Sequence, residues 1–171
     1  MRSGYATTVL MFLLPLVAGC REREVPPPAE ISTVGQFDTT HVTIITGTDT
    51  MHVRAEIAAN EDQRALGLME RRQLGQNEGM LFVYPTMQDS TASFYMFRTR
   101  IPLDIAFADS TGTIVSIRSM EPCDSPYPQS CPLYEAGKRF QSALEVNRGY
   151  FTQNRVGVGD QIRAPSDIVS R

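Results

Sequence analysis

Two carboxylates stand inside otherwise apolar segments and are the strongest candidates for chemistry. Asp104 lies in the run LDIAF and Glu145 in the run ALEVN. In an extended strand alternate side chains point to opposite faces, so each carboxylate points away from its large apolar neighbours. Two carboxylates across one groove can perform general acid–base work, and we predict that both contribute to one polar pocket. The alternative is that each faces water or pairs with an arginine. The arginines in question are Arg98, Arg100 and Arg118.

An aromatic segment with an adjacent cation is the best candidate for ligand binding. A stacking platform for a sugar or a peptide could be formed by Phe94, Tyr95 and Phe97 beside Arg98 and Arg100, although such a strand more often supplies core from one face only. Of these, Tyr95, Phe97 and Arg98 would line a groove together with Asn147 and the two carboxylates. No G-x-S-x-G, phosphate-binding loop or dinucleotide-binding motif accompanies them, so the sequence offers no catalytic set.

Three cysteines occur in the chain, and two of them enclose a short proline-rich loop. Cys123 and Cys131 bracket DSPYPQS, and in an oxidising compartment this spacing favours a structural disulfide. The chain-entropy model gives such a bond about 2.5 kcal/mol of stabilisation. A redox-active pair is the alternative, but that chemistry usually employs closer thiols.

The residues that could bind a metal do not form a recognisable site. His41 and His52 are the only histidines. If Thr46 pairs with Met51 in a hairpin, His52 lies opposite Ile45 and His41 opposite Glu56. The two histidines are then well apart, and a zinc site lacks further ligands. The methionines follow no repeated spacing and are predicted to fill the core. They are Met69, Met80, Met87 and Met96. We therefore predict no metal and no cofactor.

The start of the chain has the form of a bacterial export signal. Arg2 precedes an uncharged stretch, 7–19, that is shorter than the roughly 20 apolar residues a membrane-spanning helix needs. It ends in Val-Ala-Gly-Cys, which resembles the lipobox of bacterial lipoproteins, where the cysteine carries a diacylglycerol. An ordinary cleaved signal is the alternative. We predict a signal peptide at 1–19, a lipidated Cys20 opening a proline-rich tether at 20–37, and one globular domain at 38–171.

Charge and destination limit the partners. The net charge of −3 argues against nucleic-acid binding, which needs a clustered basic face. The expected partners are the membrane, through the lipid, and an unknown small ligand or envelope protein. Resemblance to lipoproteins implies the outer membrane facing the periplasm if the host is Gram-negative, because Arg21 rather than aspartate follows the cysteine.

Short strands dominate the pattern of the domain. HVTIIT and MHVRAEIA alternate polar and apolar residues around a turn at 47–50, and Asn60 with Gln63 predicts a capping box that starts a helix. Ala65, Leu66 and Met69 are predicted to face the core. Further strands are predicted at 79–84, 92–98, 103–109, 113–119, 140–147 and 160–164, with a helical turn near 149–153. This order predicts a mainly β (α+β) domain, a small antiparallel barrel or sandwich with one or two short helices.

Several ordered motifs resemble one family. They are RALGLMERRQLGQNEGMLFVY, FYMFRTRIPLDIAFADSTGTIVSI, CDSPYPQSCPLY and ALEVNRGYFTQNRVGVGDQI, and together they resemble the domain-of-unknown-function 192 (DUF192) family over about 50–163. The resemblance implies a compact, mainly β fold, often behind an export signal, and no established activity. Members commonly have Trp-Met-Lys-Asn before IPLDI, whereas this chain has Tyr-Met-Phe-Arg at 95–98.

The residues favour a non-enzymatic, membrane-tethered binding or accessory domain of the envelope. Two alternatives remain at this point: a hydrolase or glycan-acting enzyme that uses Asp104 and Glu145, and a structural lipoprotein with a protein partner.

Overall fold

A computed structural model describes Met1 and residues 36–169, so the predicted leader, Cys20 and most of the predicted tether lie outside the described residues. The strands are β1 (Thr39–Ile45), β2 (Thr50–Ala58), β3 (Glu78–Gln88), β4 (Ser93–Tyr95), β5 (Leu103–Ala108), β6 (Ile114–Met120), β7 (Leu133–Glu135), β8 (Phe140–Asn147) and β9 (Gln161–Arg163). The helices are α1 (Glu61–Leu66), α2 (Tyr150–Gln153) and α3 (Ser166–Val169), with a 3₁₀ turn at Pro128–Ser130. Among these helices none is long and apolar enough to cross a membrane.

Seven strands form one curled sheet in the order β6-β5-β8-β3-β2-β1-β9, and β4 pairs with β7 in a separate ribbon. The predicted fold allowed a closed barrel, but the sheet is a half-barrel whose two edges meet only over a short stretch, 112–114 against 159–162. There Thr113 and Gln161 form an isolated bridge, and Ile162 N donates to Gly112 O at 2.8 Å. Gly112 has φ of 82°, and a Cβ on it would lie 2.3 Å from the Ile162 carbonyl oxygen, so this contact requires glycine.

The mainly β class is confirmed, but one strand pair runs against the antiparallel expectation. β2 and β3 are parallel, with Ala55 opposite Gly79. Parallel neighbours need a crossover connection, and the segment that contains α1 provides it. The capping box of α1 is confirmed, since Gln63 N donates to Asn60 Oδ1 at 2.8 Å. Ala65, however, is exposed, and the buried residue near this helix is Leu68.

Both faces of the central strands are covered, which explains why β5 is buried at all six positions. The inner face of the curl packs against α2, and its cluster includes Leu144, Val146 and Phe151. The outer face packs against the β4–β7 ribbon. Its cluster includes Met80, Phe82, Ile105, Phe107 and Phe140.

The predicted strand at 92–98 is shorter in the structure because the chain turns after Tyr95. Thr99 N donates to Met96 O at 3.0 Å, and Arg98 adopts a left-handed φ of 54°. Phe97 instead forms an isolated bridge with Cys123. The ribbon therefore covers the sheet through Phe94, whose ring lies 5.1 Å from Phe82 and 5.5 Å from Phe107, centroid to centroid.

Candidate functional site

Glu145 is a buried carboxyl in the middle of the sheet. It lies in β8 between Met80 of β3 and Ile105 of β5, and its side chain belongs to the outer face of the sheet. The residue is only 5% exposed. Among the described residues it makes no hydrogen bond or ion pair. Burial raises the pKa of Glu145 to about 8, because the ionised form loses its hydration.

The Glu145 carboxyl opens onto a small pocket at the outer face, which we call the Glu145 pocket. Its cavity volume is about 90 Å³, and its walls are the 64–69 segment, the β4 strand, Phe82, Tyr84 and Thr99. A cavity needs a volume of roughly 10–15 Å³ to hold one water, so the pocket has room for several waters or one small chemical group. A buried polar group facing aromatic walls is the usual composition of a small-ligand site.

Arg64 is the only other charged residue among the described residues that line the pocket, and it is held by the backbone. Its Nη1 donates to Ala59 O at 2.6 Å and to Val83 O at 3.0 Å, and its guanidinium carbon lies 4.8 Å from the centroid of the Tyr84 ring. Burial raises the pKa of Tyr84 to about 12; Arg64 opposes this shift and Glu145 adds to it. Arg64 is thus held by backbone carbonyls and makes no ion pair with Glu145.

The disulfide positions one wall of the pocket. The predicted bond between Cys123 and Cys131 is present, with 5.8 Å between the Cα atoms. The strand β7 follows directly and pairs with β4, so that Leu133 lies opposite Tyr95. Tyr95, which lines the pocket, is 38% exposed, and its cross-strand neighbour Leu133 is 66% exposed. Exposed apolar side chains beside a pocket are typical of a surface that contacts a ligand or partner.

Asp104 does not share the pocket, and the prediction that it does is wrong. In the β5–β8 ladder Ile105 is opposite Glu145, whereas Asp104 is opposite Val146 and therefore points to the other face. Asp104 accepts hydrogen bonds from Ser119 Oγ at 2.6 Å and from Gly149 N at 2.8 Å. Gly149 has φ of 83° and precedes α2, so Asp104 fixes a turn of the backbone. A two-carboxylate mechanism has no geometric basis here.

Of the other predicted ligand residues, one lines the pocket and three lie outside it. Tyr95 lines the Glu145 pocket. Asn147 instead donates from Nδ2 to Leu74 O at 3.1 Å and to Gly75 O at 2.9 Å. Arg98 pairs with Glu70 at 2.6 Å and lies outside the lining, as does the half-buried Phe97. Phe97 and Arg98 are the positions at which the DUF192 resemblance led us to expect Lys-Asn. Neither of them is part of this pocket.

Arg64, Phe82 and Tyr84 line the pocket and were not predicted from the sequence, whereas Phe94, which also lines it, belonged to the predicted stacking platform. Phe82 and Tyr84 have the alternate spacing of one strand face, and this was the available signal. Placing that face beside Glu145 requires the β3–β8 register, which no local pattern provides.

The hairpin register differs from the predicted one by two residues. Thr43 is opposite His52 and His41 is opposite Arg54, rather than Ile45 and Glu56 as expected. A shift of two keeps each side chain on its face but makes the two histidines diagonal neighbours. Across residues 36–169 there is no group of three or more His, Cys, Asp or Glu side chains that could hold a metal ion.

A second cavity of about 210 Å³ lies between the 109–112 turn and β9. Its carboxylate, Asp109, is already satisfied by Thr111 N at 2.8 Å and Thr113 N at 3.0 Å. Burial opposes ionisation of this carboxyl, but hydrogen bonds from the two threonines bring its pKa below the ordinary value. This cavity is larger but holds no unsatisfied charge, so the Glu145 pocket is the better candidate.

Two solved structures are similar to this one. A protein of Sinorhizobium meliloti 1021 described as a "putative transcription regulator" has 29% sequence identity and a TM-score of 0.66, over 75% of this chain and 95% of its own. A protein of unknown function from Novosphingobium aromaticivorans DSM 12444 has 29% identity and a TM-score of 0.66, over 77% of this chain and 89% of its own. No curated protein is significantly similar to this chain.

The family model of DUF192, described as an uncharacterized ACR, matches residues 42–164. The match spans every strand of the sheet at least in part, the ribbon and the Glu145 pocket. The chain therefore belongs to the DUF192 family.

Proposed function

We propose that this chain is an exported, lipid-anchored protein of the bacterial envelope whose domain binds a small ligand or a peptide segment and catalyses no reaction. The observation that carries the binding role is the Glu145 carboxyl, which is buried, unpartnered among the described residues and open to a preformed pocket. An unpaired buried polar group costs free energy in the empty protein, and a ligand that satisfies it recovers that cost.

The surroundings of the pocket support binding rather than turnover. The neighbouring Arg64 is held by backbone carbonyls, and Asp104 lies on the opposite face of the sheet. The wall formed by β4 ends in the exposed Tyr95, beside the exposed Leu133. A ligand with a polar end and an apolar body would place the first in the pocket and the second on these side chains.

The ligand role is tested by thermal unfolding of the full chain in detergent against envelope peptides and glycans. A ligand at 100 times its dissociation constant adds about 2.7 kcal/mol, which raises the melting temperature by a few degrees. The increase should disappear in Glu145→Gln and persist in Glu61→Gln, a change at an exposed residue of the first turn of α1. An increase that survives Glu145→Gln would place the site elsewhere.

The anchor is proposed from residues 1–20 of the sequence alone. Two or more acyl chains are needed for stable membrane attachment. Cells that make the chain should incorporate a labelled fatty acid into it, and Cys20→Ser should abolish that label. Labelling that persists in the variant, or a wild-type chain without label, would contradict the anchor.

A further inference from the structure

We propose that the Glu145 pocket takes the ammonium end of a primary amine, such as a lysine side chain of a peptide, and releases a proton as it binds. This inference rests on the proposed binding function and specifies its ligand chemistry. Within residues 36–169 Glu145 has no hydrogen-bond or ion-pair partner, and a buried carboxyl is satisfied by a hydrogen-bond donor or a cation.

The size and walls of the pocket favour an alkylammonium group. An ammonium is a compact charge with three donors on a flexible apolar stem, whereas a guanidinium is a wide planar fork. A cavity of about 90 Å³ accommodates the compact group, and its lining includes four aromatic side chains, Phe82, Phe94, Tyr84 and Tyr95. The Tyr84 ring already packs against the Arg64 guanidinium, so the other three are the aromatic contacts open to a ligand. Aromatic faces attract cations, and apolar walls suit the methylene stem.

Arg64 makes cation entry depend on the charge of Glu145. The titratable side chains that line the pocket within 36–169 are Arg64 from α1, Tyr84 from β3, Tyr95 from β4 and Glu145 from β8. With Glu145 protonated, Arg64 leaves the pocket positive, and a second cation is repelled. With Glu145 ionised, the entering ammonium replaces the lost proton, so the net charge of the pocket does not change.

The exchange balances without another reactant. Glu145 loses its carboxyl proton to solvent, the ammonium keeps all of its protons, and the two groups form a hydrogen-bonded ion pair. Because burial places the pKa of the free carboxyl near 8, binding below that pH must release a proton. The affinity should therefore fall roughly tenfold for each pH unit below the pKa.

The test uses n-butylammonium as the probe and n-butanol as its neutral isostere. The full chain in detergent is labelled at the glutamate carboxyl carbons, and the Glu145 resonance is assigned by its loss in Glu145→Gln. We expect n-butylammonium to lower the pKa of Glu145 in the wild-type chain and to bind progressively more weakly as the pH falls. In Glu145→Gln the binding should be lost, and in Glu61→Gln it should be unchanged.

The outcomes separate this inference from the binding function. If n-butanol binds at Glu145 as strongly as n-butylammonium, or if the amine binds without changing the Glu145 pKa, the pocket takes neutral donors and the ammonium inference is wrong. If neither probe perturbs the resonance but a panel ligand still depends on Glu145, the inference fails and the binding function stands. If no panel ligand depends on Glu145 either, both fail. The pKa itself is read in the wild-type chain, and Glu145→Gln serves only to assign the resonance.

Discussion

Replacing Glu145 with glutamine should stabilise the protein at neutral pH. Burial raises the pKa of this carboxyl from 4.5 to about 8 on folding, so between these values the folded state holds a proton that the unfolded state has released. The stabilisation from the protonated carboxyl is fully present below about pH 4.5 and is lost as the pH rises to about 8. Glutamine has nearly the same shape, is never charged and removes this dependence.

The size of the expected stability difference follows from the pH range between the two pKa values, 4.5 and about 8. One unit of pKa corresponds to about 1.4 kcal/mol, so the Glu145 contribution to the free energy of unfolding should fall by about 1.4 kcal/mol per pH unit. The variant should match the wild type within about 1 kcal/mol near pH 4 and exceed it by about 3 kcal/mol at pH 7. A difference of this size is a substantial part of the 5–15 kcal/mol that stabilises a typical domain.

Urea denaturation of both full chains across this pH range measures the difference directly. Subtracting the two curves removes the contribution of every group they share, and Glu61→Gln serves as the exposed control. Parallel stability curves for wild type and Glu145→Gln, with a constant offset, would refute the reasoning, because they would mean that Glu145 ionises alike in the folded and unfolded chains.

The remaining predictions concern residues that lie outside the pocket and hold the strands in place. Asp104→Ala should cost about 1–3 kcal/mol, because the Gly149 N–H and a hydroxyl lose their acceptor, while n-butylammonium still binds; loss of binding without loss of stability would contradict this. Replacing both Cys123 and Cys131 with serine should lower the free energy of unfolding, measured in urea, by about 2.5 kcal/mol and should speed hydrogen exchange at the β4 amides. Unchanged exchange would mean that the disulfide does not hold β4 in place. Gly112→Ala should destabilise the protein by about 1–3 kcal/mol, because a Cβ there would clash with the Ile162 carbonyl of β9 and φ is 82°. An unchanged melting temperature would mean that the contact between the two sheet edges does not stabilise the fold.

Features that depend on neighbouring residues were predictable from the sequence. The strand at 140–147 has the predicted bounds, and the capping box of α1 is present. The hairpin exists, but its register required knowing which residues close the turn. Asp49 N donates to Thr46 Oγ1 at 2.9 Å and Thr46 N donates to Asp49 O at 2.9 Å, so Thr46 pairs with Asp49 rather than with Met51, and the turn is two residues shorter than predicted.

Features set by distant pairing were not predictable. Periodicity correctly placed Asp104 and Glu145 inside strands, but whether they share a face depends on the β5–β8 register. The parallel β2–β3 pair and the β4–β7 ribbon also join segments that lie far apart in the chain. Glu145 is buried because the ribbon and the 64–69 segment cover the outer face, and no local pattern encodes such a cover.

The most direct test of the account is the pKa of Glu145 in the ligand-free full chain, read from the pH dependence of its carboxyl carbon resonance. A buried carboxyl that lines the pocket and has no partner among the described residues predicts a value of about 8. A value near the ordinary 4.5 would mean that Glu145 is solvated or paired, and it would contradict the site on which the proposed function rests.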